Sequence, residues 1–591
     1  MTLKAVPSET AAMPAADGWT RRVGAAWLIT FLILCVTCGL YFAGRRAHLI
    51  SDIFLVTQDY PAAIFSVVLF TFIGLPSVRF APRIARAIDS FVDRRGWACC
   101  MAAAAAVGLT AFVGWWLFYQ QYPLSMDEYW ANFDARIFGH GQVMAEIAPK
   151  WRQFAPAMAP MWRLETPGAQ FWASTYLPMN AAFRALFGLL GSEALAGPFW
   201  AALSVVLVFD LARGFWPERR DAAFVAAILL ATSSQLIVAA MSPYAMPAHL
   251  ALNLAWLWLF MRKSWWAQLG AALLALAATG LHQLVFHPLF AAPFVLQLWA
   301  QRRWSRAIFH TAAYAIIAVF WFSYWDLLFT SQGFAPGVAH ATVAHGASAN
   351  AVRRLFDPRA VSLMAENALR LMVWQNPLTA PLALIGAFGS WRQWRTAMVP
   401  LTLGLVATLV LLLVVTPSQG HGWGYRYLHG FLGSLCLLAA YAWIKLTEGV
   451  GAGEKPRAWA AFAAAAVFAV AVWLPLRLCQ VHDFIRPFAR SRAAIEHAPA
   501  DVVIVDSSGL WYADDLVRND PLLLDGPKVM NLSFLSNAQV KMLCANYRVA
   551  LFDRRDAIAF GIGPANVRKI GLNDPSARRT ALSCATPIVA R

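Results

Sequence analysis

Two adjacent carboxylates, Asp127 and Glu128, are the residues of this sequence that most directly suggest chemistry. They follow the apolar run Ala102–Tyr119, which is about long enough to cross a bilayer core. A charged group at the edge of a membrane is costly to hold unless it has a partner or a function. One interpretation is catalysis on a lipid-borne substrate, with a carboxylate as general base. The other is a helix start, where the N-terminal dipole favours carboxylates.

The same pair could hold a divalent cation, because carboxylates suit hard cations. The sequence does not decide this, so the cofactor stays unknown. Glu165 is a third candidate acid and lies in the segment Arg163–Gly168, just before Pro167. Taken alone, an acid before a proline turn is more typical of a surface.

A glycine-rich segment, Gln419–His429, is the best candidate for binding a phosphate, and it carries His421, Tyr425 and Arg426. Glycines let backbone amides approach an anion, and arginine binds phosphate oxygens in a bidentate way. The alternative is an aromatic belt at the membrane surface with an arginine that reaches the interface.

Two histidines, His282 and His287, lie where two apolar segments are joined by a predicted tight turn. Either side chain could contact a sugar or a phosphate, and both are candidates for substrate binding. The competing interpretation is structural, since a single histidine at the end of a span often has no other role.

Composition identifies an integral membrane protein of 591 residues, of which 60% are hydrophobic and only 13% charged. The net charge of +17 could suggest a nucleic-acid partner. However, the basic residues lie in short loops between apolar segments, so we expect no nucleic acid and expect contact with membrane lipids. About 13 apolar segments are predicted to span the membrane, at 24–43, 61–78, 98–119, 194–213, 221–240, 245–261, 265–281, 284–300, 307–326, 376–390, 397–415, 428–444 and 458–475.

The distribution of basic residues predicts the orientation of these spans. With the N-terminus inside, about 21 lysines and arginines lie on the cytoplasmic side and about 3 in the short outer loops. The fold class is therefore an α-helical polytopic membrane protein. Residues 1–23 form a cytoplasmic tail and 24–475 the membrane domain.

Three long segments are predicted to lie outside. Residues 120–193 form a large first periplasmic loop, which contains the acidic pair and an amphipathic stretch from Phe171 to Leu190 along the interface. Residues 327–375 form the second. Residues 476–591 form a small periplasmic α/β domain with buried strands near 502–506, 528–532 and 548–553. Cys544 and Cys584 lie there, and the sequence leaves open whether they form a disulfide.

Two motifs resemble a known family. Leu-Ser-Met-Asp-Glu-Tyr-Trp at 124–130, followed by Ala-Arg-Ile-Phe-Gly-His-Gly at 135–141, resembles the first outer loop of GT-C membrane glycosyltransferases. This superfamily includes the bacterial aminoarabinose transferases and the protein mannosyltransferases. The segment Arg163–Gly168, with Phe171 and Trp172, is similar to the family's second element. Two extra spans before the usual first one, and a missing acid in the segment 242–247, are departures from the pattern.

The resemblance implies a glycosyltransferase of the bacterial inner membrane. It would move a sugar from a polyprenyl-phosphate donor to a cell-envelope glycan or lipid by an inverting single displacement. The resemblance makes Asp127 the base, with Glu128 orienting it or sharing a proton or a metal, and raises Glu165 to a catalytic candidate. The alternative from another class is a transporter or flippase of lipid-linked intermediates, for which internal repeats and charges at mid-membrane would be expected.

Overall fold

The structure is a computed structural model that describes residues 54–65, 81–337, 358–391, 396–415, 422–448, 454–563 and 582–588, with positions 28, 31–32, 34–37, 39, 68, 417 and 419. Helices make up most of this part of the chain. Their bounds are α1 (Ala81–Leu117), α2 (Met126–Gly139), α3 (Pro149–Arg152), α4 (Ala155–Met158), α5 (Met179–Leu189), α6 (Ala196–Phe215), α7 (Arg220–Ala231), α8 (Ser234–Ala240), α9 (Met246–Phe260), α10 (Trp265–Thr279), α11 (Phe286–Ala300), α12 (Trp304–Ser331), α13 (Pro358–Val373), α14 (Thr379–Ser390), α15 (Met398–Val415), α16 (Leu432–Thr447), α17 (Glu454–Phe468), α18 (Leu474–Glu496), α19 (Asn537–Asn546) and α20 (Arg554–Phe560).

Apolar helices of spanning length occur throughout the described residues. Six stretches are long and apolar enough to cross a membrane by length and composition: Arg94–Leu117, Glu193–Phe215, Trp304–Ser331, Met398–Val415, Arg426–Thr447 and Lys455–Glu496. The helices α7 and α8 together would form a seventh, bent by 53°. The bend falls where the Ser233 side chain accepts a hydrogen bond from the backbone of Leu236 and starts a new helix.

The predicted spans from 98–119 onward each coincide with one apolar helix or, at 221–240, with the bent pair. Four of them (α9, α10, α11 and α14) are shorter than the usual length of a span. The first two predicted spans fall largely outside the described residues, so a total of 13 stays a prediction. Of the second long outer segment, residues 338–357 lie outside the described residues, and the part that follows them forms α13.

The segment 120–193 is a mixed structure rather than a plain loop. Its three short strands are β1 (Ala145–Glu146), β2 (Arg163–Glu165) and β3 (Phe171–Ser174), with β3 in the middle and antiparallel to both. The predicted amphipathic stretch from Phe171 to Leu190 is wrong in its first part, because β3 pairs with its neighbours. Only α5 has the expected form, with Leu186, Leu189 and Leu190 exposed.

The C-terminal segment contains a sheet at the positions predicted for its strands. Strands β4 (Val502–Val505), β5 (Lys528–Asn531), β6 (Val549–Phe552) and β7 (Thr586–Pro587) lie in the order β5-β4-β6-β7, all parallel. Strand β4 is buried throughout, as expected for a central parallel strand. Cys544 and Cys584 are joined by a disulfide. The predicted domain boundary at 475 falls within α18, which continues from the membrane segment without a break.

This sheet packs on the segment 120–193 and does not form a separate core. Trp130, Phe133 and Trp172 share one apolar cluster with residues of β4 and β5. Polar contacts reinforce the junction: Arg518 donates to the Leu124 carbonyl at 3.1 Å, and the Trp172 indole donates to the Pro521 carbonyl at 2.8 Å. The C-terminal segment therefore helps to fix α2, the helix that carries the acidic pair.

Candidate active site

The helix α2 begins with a capping box that separates the two adjacent carboxylates. The Ser125 hydroxyl accepts a hydrogen bond from the Glu128 backbone, while a Glu128 carboxylate oxygen accepts one from the Ser125 backbone at 2.6 Å. These reciprocal bonds satisfy two backbone donors of the first turn. Glu128 is fully buried against its own helix start. The helix-start interpretation therefore describes Glu128 well, whereas Asp127 has different partners.

Asp127 forms an ion pair with Arg426, which lies 299 residues further along the chain. A terminal guanidinium nitrogen of Arg426 donates to one carboxylate oxygen of Asp127 and lies 3.3 Å from the Tyr244 hydroxyl. The two side chains are 14% and 11% exposed, so the pair is largely shielded from water but not closed off. The structure thus joins the predicted base and the predicted phosphate ligand in one site.

Glutamine side chains hold the backbone that carries Arg426. Gln419 accepts a hydrogen bond from the Arg426 backbone and donates to the Gly424 carbonyl, both at 2.8 Å. Gln235 bonds both backbone groups of Tyr425, at 2.9 and 3.2 Å. Gly424 has a φ of +63°, and a Cβ there would lie 2.4 Å from the Gln235 side-chain oxygen. This glycine is needed for close packing and a left-handed backbone.

The second carboxylate oxygen of Asp127 faces an aromatic group. The Tyr176 hydroxyl donates to it, and the Tyr176 ring stacks on His282 with centroids 4.6 Å apart. The Trp162 ring lies beside the Tyr176 ring, with centroids 5.9 Å apart. Asp127, Tyr176, Tyr244 and His282 line one small cavity. The carboxylate therefore separates a cationic side, formed by Arg426, from an aromatic side.

The charges of the site follow from burial and these contacts. Burial raises the pKa of Asp127, but the Arg426 guanidinium and the Tyr176 hydrogen bond outweigh it and hold the pKa well below its usual range. Burial lowers the pKa of His282, which lies between α10 and α11, to about 4. At neutral pH the site therefore contains an ionised aspartate, a cationic arginine and an uncharged histidine.

Asp134 is a further acid of this cavity that the sequence reasoning missed. Its carboxylate accepts hydrogen bonds from the backbone and hydroxyl of Ser174, which ties α2 to β3. Burial raises its pKa to about 7, although the Ser174 hydrogen bonds oppose this shift. The spacing could have identified it, because a residue seven positions after Asp127 lies on the same helical face.

Two other predicted residues, Glu165 and His287, do not contact Asp127. Glu165 pairs with Arg163 at 2.8 Å and lines a separate surface groove. His287 is fully buried in α11, where its ring nitrogens lie 2.8 Å from Asn253 and 2.9 Å from Tyr314. His287 thus lies inside α11 rather than in the predicted tight turn, and both ring nitrogens have partners within the helical core.

Two loop residues have different outcomes. The Tyr425 ring is fully buried, and its hydroxyl lies 3.6 Å from the Met364 sulfur, so it does not face the cavity. His421 lies outside the described residues. The loop was predicted to offer glycine amides to an anion, whereas its described contacts mainly fix the backbone of Arg426.

The arrangement of Asp127 and Glu128 does not fit a shared cation. Arg426 and Tyr176 contact Asp127, and Glu128 is held by the capping box. Within the described residues, no group of three or more histidine, cysteine, aspartate or glutamate side chains could hold a metal ion.

A second acid–arginine group lies close to the same loop. Asp59 pairs with Arg370 at 3.2 Å and with Arg477 at 3.6 Å, and all three side chains are fully buried. The Trp374 indole also donates to Asp59 at 2.8 Å. Arg370 donates to the Gly422 carbonyl, four residues before Arg426. This group had no signal in the sequence, since its members come from three distant segments.

Comparisons with known proteins find likenesses among solved structures. No known family model matches the chain, and no curated protein sequence matches it. Among solved structures, the chain is similar to ArnT from Cupriavidus metallidurans bound to undecaprenyl phosphate, with 13% identity, a TM-score of 0.47, and coverage of 74% of this chain and 86% of that chain. It is also similar to the same protein in the apo state, with 12% identity, a TM-score of 0.44, and coverage of 73% and 85%. A likeness at this level concerns the fold alone.

Proposed function

We propose that this protein is a membrane glycosyltransferase of the GT-C type that uses a polyprenyl-phosphate sugar as donor and a cell-envelope glycan or lipid as acceptor. The observation that carries the proposal is the contact between Asp127 and Arg426 beside the small cavity that Asp127 lines. Sugar transfer from a lipid phosphate requires a base for the acceptor hydroxyl and a positive charge for the departing phosphate. These two groups supply both requirements from segments that lie 299 residues apart in the sequence.

The reaction is a single displacement. The acceptor oxygen attacks the anomeric carbon of the donor, and the bond from that carbon to the phosphate oxygen breaks. The phosphate leaves with the electron pair and is stabilised by Arg426, while Asp127 takes the proton of the acceptor hydroxyl. One attack on the face opposite the leaving group inverts the anomeric centre.

The ion pair also suggests how the base is switched on. In the free protein Arg426 holds Asp127 ionised with a low pKa, which makes it a weak base. A donor phosphate would compete for the same guanidinium, because arginine binds phosphate oxygens in a bidentate way. Loss of that contact, together with the nearby phosphate charge, raises the pKa of Asp127. Donor binding would thus activate the base before the acceptor reacts.

The buried charges give no support to a transporter. Charged groups at mid-membrane would favour that alternative. Asp59, Arg370 and Arg477 are buried, but Arg370 contacts the loop of Arg426, so they lie at the same end of the helices as the candidate site. We propose that this end faces the periplasm, with the N-terminus in the cytoplasm, as the distribution of basic residues predicts.

The test is transfer by purified protein in phospholipid nanodiscs. Radiolabelled polyprenyl-phosphate sugars of several types are incubated with delipidated envelope material, and undecaprenyl phosphate binding is measured in parallel. We expect transfer from at least one donor. We also expect Arg426→Lys to lose about 10–100-fold, because a hydrogen bond to a charged group contributes about 1.5–3 kcal/mol. An absence of both transfer and binding would reject the proposal, and movement of labelled lipid across vesicles without transfer would favour the flippase alternative.

A further inference from the structure

An exposed tryptophan lies beside the cavity in a backbone conformation that tryptophan rarely adopts. Trp162 is 53% exposed and has a φ of +58°, in the left-handed region that favours glycine. Such a conformation persists only where the surroundings fix it, and it often marks a functional position. The sequence reasoning did not single out Trp162.

Hydrogen bonds on both sides of Trp162 fix this conformation. The Trp130 indole, from α2, donates to the Met161 carbonyl at 3.0 Å. The Thr175 backbone, just after β3, donates to the Trp162 carbonyl at 2.9 Å. Helix α2 also carries Asp127, and the segment just after β3 also carries Tyr176. The position of Trp162 relative to the cavity is therefore fixed.

The rings of Trp162, Tyr176 and His282 form an aromatic row whose middle member, Tyr176, contacts the Asp127 carboxylate. The Trp162 and Tyr176 rings are 5.9 Å apart at 32°, and the Tyr176 and His282 rings are 4.6 Å apart at 19°. The Tyr176 hydroxyl donates to Asp127 on the oxygen that Arg426 does not contact. The exposed face of Trp162 thus leads through Tyr176 to the oxygen of the base that Arg426 does not contact.

We propose that Trp162, with Tyr176 and His282 behind it, is a stacking platform for a neutral pyranose ring of the acceptor. The C–H groups on one face of a pyranose carry a small positive charge, which matches the negative face of an aromatic ring. The phosphate of the donor is assigned to the opposite side, where Arg426 supplies the charge. This inference deepens the proposed function and depends on it.

The competing role for an exposed tryptophan is anchoring in the membrane interface. Trp266 offers a matched control, because it is 82% exposed and lies in the first turn of α10. If exposure alone mattered, replacing either tryptophan would have a similar effect. If Trp162 is a stacking platform, replacing Trp162 should weaken sugar binding, whereas replacing Trp266 should not.

The experiment measures binding of methyl glucoside, methyl galactoside and methyl mannoside by saturation-transfer NMR. The protein is held in phospholipid nanodiscs free of maltoside or glucoside detergents, whose sugar head groups would compete. Trp162→Gly removes the ring and suits the positive φ, so the fold should be kept. Trp162→Phe keeps a flat aromatic face, and Trp266→Leu is the control.

We expect at least one pyranoside to bind the wild-type protein and Trp162→Gly to weaken that binding by about tenfold. Trp162→Phe and Trp266→Leu should bind nearly as the wild type does. Undecaprenyl phosphate binding, measured on the same samples, should be unchanged in all variants. Pyranoside binding that is absent from the wild type, or unaffected by Trp162→Gly, would overturn the platform. If undecaprenyl phosphate still binds in that case, the proposed function survives, whereas loss of both ligands would reject the function itself.

Discussion

Two acid–arginine groups contact the same loop, and they differ in what can reach them. Arg426 pairs with Asp127 beside a cavity, with both side chains slightly exposed. Arg370 and Arg477 pair with Asp59 in a fully buried cluster, and Arg370 also holds the carbonyl of Gly422. The residue types are the same, but only the first pair can exchange its partner for a ligand. Access, rather than residue type, therefore distinguishes the pair that we propose to be catalytic from the buried group.

The largest expected effect on activity comes from Asp127→Asn. The asparagine keeps the size and hydrogen bonding of the side chain but cannot accept the acceptor's proton, so transfer should fall by about 10²–10⁴-fold. The rate of sugar transfer by protein in nanodiscs measures this. Glu128→Gln is the matched control, because glutamine keeps the capping box. If Asp127→Asn transferred sugar at the wild-type rate, another residue would have to be the base, and Asp134 and Glu165 would be the next candidates.

Substitutions in the buried group of Asp59, Arg370 and Arg477 should lower the stability of the fold rather than act on the transfer reaction itself. Arg370→Met leaves Asp59 with one arginine fewer, and removing one partner of a buried ion pair costs about 3–5 kcal/mol. The unfolding temperature, followed by intrinsic fluorescence, should fall clearly. Arg426→Met should lower it much less while abolishing transfer. Equal losses of stability in the two variants would show that access does not distinguish the groups.

A smaller effect is expected in the pH dependence. In the free protein the pKa of Asp127 is held below its usual range, and donor binding should raise it by drawing Arg426 away. The acid limb of kcat, which reports the complex, should therefore lie at higher pH than the limb of kcat/KM for the donor. Asp134→Asn is the control, since the pKa of Asp134 is about 7 and could itself produce a limb. If the acid limbs of kcat and of kcat/KM lay at the same pH, this would argue that donor binding does not draw Arg426 away from Asp127.

Local signals allowed much of the architecture to be predicted from the sequence. Hydrophobic length located the helices from residue 98 onward, and short apolar runs located the strands β4, β5 and β6. The same logic failed at Phe171–Ser174, because a four-residue strand in an antiparallel sheet depends on partners that the local pattern does not show. The capping box at Ser125 and Glu128 was readable in the sequence, as a serine followed three residues later by a glutamate.

The candidate site could be predicted only in pieces. Asp127 and Arg426 each had a local signal, but their contact spans 299 residues and arises from packing. Asp134 had a helical spacing that could have been used. Trp162 had no signal, because its importance lies in its exposure and backbone angle. The cluster of Asp59, Arg370 and Arg477 likewise arises only when distant helices meet.

We propose that a lipid phosphate and Asp127 compete for Arg426, and the decisive measurement is the affinity of Asp127→Asn for undecaprenyl phosphate. Binding is measured in nanodiscs by competition with a fluorescent polyprenyl phosphate. Removing the carboxylate charge frees the guanidinium, so we expect a Kd about tenfold lower than that of the wild type, since a charged hydrogen bond contributes about 1.5–3 kcal/mol. The variant should thus bind the lipid more tightly while transferring almost no sugar. Equal or weaker binding by Asp127→Asn would contradict the claim that the phosphate takes the place of this carboxylate.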